Sequence, residues 1–158
     1  MSPKTLNGIT KKEKLDNLFN WDLSHVKERI KLEKPSFTDE YLDQMIIEYK
    51  RFISLMIHFP ETVKHVSKHV DIAWHCHILF TKNYFAFSNA IGSLYIHHTP
   101  SSPLLETDLE KGSSYLNTID EYKQIYGEVN LKFWLSSSIC NDGDTGDSIG
   151  PGPVDCQA

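Results

Sequence analysis

The chain reads as an all-α protein, a compact bundle of about five to six helices. Three observations carry that reading. Apolar residues recur at three- and four-residue spacings along most of the 158 positions. Capping residues, prolines and glycines punctuate those stretches at helical lengths. No alternating strand pattern runs longer than residues 93–97. The length suits one domain with a sizeable core and is too short for two.

Residues 1–12 are polar and carry Pro3, Gly8 and three lysines, which predicts a flexible lead-in before a single helical domain over 13–135. Leu15, Leu18 and Phe19 then sit at i, i+3 and i+4, a first helix. Asn20-Trp21-Asp22 interrupts it, and Asp22 or Ser24 is the expected cap of a second helix carrying Leu23, Val26 and Ile30. Lys34-Pro35-Ser36 breaks the pattern again. The clearest helix carries Leu42, Met45, Tyr49, Phe52, Ile53 and Met56, with Thr38 as cap, Asp39 and Glu40 in its acidic first turn, and Pro60 closing it. It reads as a core strut without chemistry.

Two helices are expected in the next region. One runs from after Ser67 to about Phe80; the other starts at Thr81, its expected cap, and carries Tyr84, Phe87, Ser88 and Ile91. Gly92 fits the left-handed position that ends it. Residues 94–100 read as extended, because Pro100 pushes Thr99 away from helical angles. Beyond the loop 99–106, Thr107-Asp-Leu-Glu110 matches a capping box. Tyr115, Ile119, Tyr122 and Tyr126 form the last amphipathic stripe, stopped by Gly127, and Phe133 and Trp134 can close the core. Residues 136–158, rich in Ser, Gly, Asp and Pro, read as a disordered tail that also holds Cys140 and Cys156.

Charge and composition narrow the function classes. Lys plus Arg total 16 against 21 Asp plus Glu, a net charge of -5, which argues against a nucleic-acid partner. No apolar run reaches the roughly 18 residues of a bilayer span. The opening Met1-Ser-Pro-Lys-Thr lacks a secretory core. A soluble cytoplasmic domain without a membrane partner is therefore expected. With no Gly-rich phosphate loop, nucleophile elbow or Cys-x-x-Cys, no nucleotide cofactor is expected.

Histidine is the unusual residue. Seven of eight (His58, His65, His69, His75, His77, His97 and His98) fall between positions 58 and 98, where even scatter would place roughly two. If Asp71–Phe80 is helical, Asp71 and His75 share a face. His77 lies about 200° round from His75, so a regular helix cannot aim both at one ion. In an extended segment His97 and His98 point to opposite sides. The most economical site is therefore Asp71, His75 and His98, with His77 as substitute ligand. Two imidazoles and a carboxylate suit one divalent metal, iron or zinc. Cys76 points to a third face and stays out.

Structural readings stand beside these. Asp71 and His75 can be a helix-start pair, Trp74 a core anchor, and His65 and His69, between lysines, a solvated face. His58 reads as a helix-end residue, His97 as a surface or supporting group, and His77 as either a core hydrogen-bonding residue or a member of the site.

Val70-Asp71-x-x-Trp74-His75-x-His77-Ile78-Leu79, followed by Thr81, Tyr84, Gly92 and His98, resembles the signature of the glycine-rich domain-containing protein family. That family comprises plant multidomain proteins and short bacterial and fungal relatives. The similarity extends from about Asp22 through Glu48–Phe52 to Tyr122–Gly127 and Trp134. The plant members' glycine-rich and RNA-binding segments have no counterpart here, so an RNA role does not carry over. Many short relatives have an aromatic residue at the position of His77, which favours His75 as ligand. The resemblance implies a fold and a site location but no reaction.

Two functions follow. One is a metal-dependent enzyme, an oxidase or oxygenase with iron or a hydrolase with zinc, acting on an unknown small molecule. The other is a protein-interaction module whose histidines only knit the core. A pH sensor built on the imidazoles is a third reading.

Overall fold

The structure, a computed structural model, describes residues 8–99 and 107–134. Six helices and no strand occupy them: α1 (Lys11–Phe19), α2 (Ser24–Glu33), α3 (Asp39–His58), α4 (Lys68–Leu79), α5 (Thr81–Ala90) and α6 (Asp108–Tyr126). The all-α reading holds. Most of the expected lead-in and the whole tail at 136–158, with both of its cysteines, lie outside the described residues.

Several boundaries differ from expectation, each for a local reason. α1 opens at Lys11, inside the span read as lead-in, because Thr10 and Glu13 close a reciprocal capping box. Neither Asp22 nor Ser24 is the cap of α2; Leu23 is, while the Asp22 carboxylate accepts the Ser24 N–H at 2.9 Å. Thr81 is the first helical residue of α5 rather than its cap, since α4 and α5 are separated by Phe80 alone. The Thr38 cap of α3 and the Thr107–Glu110 box of α6 form as read.

α4 is the axis of the bundle. It packs against α3, α2 and α5, and Val70, Asp71, Ile72, Ala73, Trp74, Cys76 and His77 are all buried. An apolar helix buried on nearly every side has no solvated face on which to carry charge. The polar groups it does carry must find partners inside.

α3 holds a feature absent from its reading as a plain strut. Glu48 is fully buried. Its Oε1 accepts from Gln44 Nε2 (3.1 Å) and Arg51 Nη1 (3.2 Å), and its Oε2 from Tyr122 Oη (2.8 Å) and Trp134 Nε1 (2.9 Å). One carboxylate thus ties α3, α6 and the segment after α6. Burial and the neighbouring Glu48 carboxylate push the Tyr122 phenol up to about 12, so it stays a donor. Signs of this node were present in the sequence: Glu48 stands three residues after Met45 and four before Phe52, inside the apolar stripe. Replacing Glu48 with leucine should strand four donors, those of Tyr122 and Trp134 buried, and cost about 3 kcal/mol or more in urea denaturation. A loss below about 1 kcal/mol would show that the node is dispensable.

Candidate metal centre

Asp71 lies in the first turn of α4, below the Ser67 cap, and His75 follows one turn later. Their side chains meet with Asp71 Oδ2 3.2 Å from His75 Nε2. The third member arrives along the extended segment after α5. There α5 ends in a Schellman turn: Gly92 N–H donates to the Asn89 carbonyl and Ser93 N–H to the Ser88 carbonyl, with Gly92 at φ +83°.

Two side chains of α5 then hold the returning strand-like stretch by the buried Ile96. Ser88 Oγ accepts the Ile96 N–H (3.2 Å), and the Tyr84 hydroxyl donates to the Ile96 carbonyl (2.6 Å) while accepting from Trp74 Nε1 (2.9 Å). Because side chains alternate along extended backbone, Ile96 and His98 point inward while His97 is exposed beside the Tyr95 ring. His98 Nε2 reaches Asp71 Oδ1 at 2.6 Å. The Trp74 ring, 4.1 Å from the His98 ring between centroids, holds the imidazole from the side.

One ligand atom from each of Asp71, His75 and His98 lies within 4.8 Å of the other two, the sole such histidine, cysteine or carboxylate grouping among the described residues. The site is desolvated: side-chain exposure is 2% for Asp71 and 7% for His98, against 22% for His75. No lysine or arginine pairs with Asp71 among the described residues. Its ion-pair partners there are the two imidazoles. A buried carboxylate needs compensating positive charge, from a protonated imidazole or from a cation. Donor chemistry and spacing both fit a divalent metal, for which neutral imidazole and carboxylate are ordinary ligands.

A family match covers residues 11–118, from the start of α1 into α6, and takes in all three residues. The chain belongs to the UCP032817-like family. No curated protein and no solved structure matches the chain. The family span also holds α4, α5 and the Ile96 segment, so the whole support of the centre lies within it.

Elsewhere in this UCP032817-like chain the histidines have other work. His77 does not join the centre. It is fully buried, with Nδ1 2.9 Å from Tyr49 Oη and Nε2 2.8 Å from Asn83 Oδ1. Asn83 Oδ1 also accepts from Trp21 Nε1 (3.1 Å). The amide oxygen can only accept, so His77 donates from Nε2 and accepts at Nδ1 from Tyr49. Both nitrogens are committed, which corrects its reading as substitute ligand. Cys76 faces the Val26 carbonyl, and burial pushes its thiol up to about 11. Trp74 is the core anchor expected of it and also a wall of the site. His65 and His69 do not share a helix, since α4 begins at Lys68, and both are partly buried rather than solvated. His58 sits in the last turn of α3, as read.

Two outcomes follow. Burial pulls the His77 imidazole from 6.5 down to about 4. The folded state therefore binds its proton less readily than the unfolded chain, and stability is lost as pH falls from about 6.5 toward about 4, by roughly 3 kcal/mol. Denaturation at a series of pH values checks this, and a His77→Gln variant should flatten that part of the profile. Tyr84→Phe removes the hold on Ile96 and leaves its carbonyl and the Trp74 N–H unpaired. It should lower metal affinity about tenfold while circular dichroism remains that of a folded helical protein.

Proposed function

We propose that the protein is a metal-dependent enzyme that holds one divalent ion, iron or zinc, through His75, His98 and Asp71. The observation that carries the reading is the convergence of the three ligand atoms from two separate segments on one desolvated spot. The same residues, with Trp74 and Tyr84, are those of the glycine-rich domain-containing signature, which supports kinship with that family as well.

Three protein ligands leave coordination positions open to water or substrate. Bound there, iron supplies oxidation and zinc supplies activated water or carbonyl polarisation. The chain's own residues do the rest. Asp71 supplies the negative charge that selects a cation over an anion. Trp74 and the held Ile96 fix the His98 ring, and the buried surroundings of Asp71 keep competing water away. On its other side the centre opens to a cleft of about 910 Å³ lined by Asp71, Trp74 and His98, room for a small-molecule substrate.

Elemental analysis of gently purified protein should find close to one iron or zinc per chain. His75→Ala and His98→Ala should each cut that content at least tenfold, and chelator should lower the melting temperature of the native chain. Substoichiometric metal unaffected by either substitution would overturn the reading and leave Asp71 balanced by a protonated imidazole.

A further inference from the structure

One charged residue of the cleft wall pairs with nothing among the described residues. Four charged residues line it: Lys14, Lys64, Asp71 and Glu110. Lys64 donates to the Phe59 and Thr62 carbonyls and pairs with Glu121 at 3.3 Å. Asp71 meets His75 and His98. Glu110 is taken up by the backbone and hydroxyl of Thr107. The Lys14 ammonium has no hydrogen bond or ion pair among the described residues.

On the same face of α1, one turn on from Lys14, Asn17 donates from Nδ2 to the Ala90 carbonyl at 2.7 Å and docks α1 on the end of α5. That docking lays the Lys14 stem across Gly92. A Cβ at Gly92 would stand 2.4 Å from Lys14 Cε and 2.9 Å from Nζ, so the end of the lysine stem lies against the glycine and a larger residue there would displace it. The lining also includes the apolar side chains of Met56, Phe59, Ile91 and Ile96.

We propose that the cleft takes a small organic acid, an apolar body ending in one carboxylate, with the Lys14 ammonium pairing the carboxylate and the body lying toward His98. The inference deepens the enzyme reading and rests on it for the chemistry at the far wall, while the anion contact stands on Lys14 alone.

The test uses two probes of equal shape, 4-phenylbutyrate and 4-phenylbutan-1-ol, titrated calorimetrically into the full chain, both zinc-loaded and stripped with EDTA. The carboxylate should bind about tenfold more tightly than the alcohol in both forms. Lys14→Met and Lys14→Gln should each erase that preference and leave alcohol binding and helical content unchanged. Equal affinity for the two probes in the native chain, no binding of either, or a preference that survives both substitutions would each overturn the proposal. A Lys14-dependent preference in protein that takes up no zinc would sink the metal reading and leave this one standing. Zinc uptake without the preference would do the reverse.

Discussion

A negative charge inside the bundle organises this molecule. Asp71 sits on the central helix, 2% exposed, with no lysine or arginine against it among the described residues. So little of it meets solvent that the fold must bring compensation from the protein side. Helical periodicity delivers one imidazole from the next turn. Delivering the second takes a helix, a Schellman turn and a returning stretch fastened at Ile96 by Tyr84 and Ser88. Much of what α5 and the residues after it accomplish is the placing of that one ring.

The second buried carboxylate shows what a closed arrangement looks like. Glu48 meets an amide, a guanidinium, a phenol and an indole, each of which donates. Its charge is balanced and its lone pairs are filled, which leaves it no capacity for another ligand. Asp71 meets only imidazoles, groups that change between donor and acceptor with the proton. The same contrast separates His77, held at both nitrogens by Tyr49 and Asn83, from His75 and His98. Glu48, Asp71 and His77 are all buried; chemical openness belongs to the Asp71 cluster.

What the amino-acid order disclosed follows the range of the interactions. Asp71 and His75 are one helical turn apart, so their meeting is written in the period. His98 was separable from His97 because Pro100 and Gly92 mark an extended stretch whose sides alternate. The Thr38 cap and the Thr107 capping box were legible for the same local reason. His77 was not, since its fate depends on Tyr49, 28 positions earlier in the chain, and on Asn83 from the next helix. Lys14 was equally hidden: its place at the cleft beside Gly92 comes from the packing of α1 on the end of α5. The partial burial of His65 and His69 likewise comes from tertiary packing that flanking lysines do not report.

The Glu48–Trp134 contact joins positions 86 apart, about two thirds of the length of the helical region. A nascent chain on the ribosome has α3 and its carboxylate in hand long before the indole emerges. Until it does, the acid in the middle of the bundle lacks one of its four donors, and water must stand in for it. Completion of the core is thereby tied to release of almost the entire domain, which disfavours premature closure around a half-made protein.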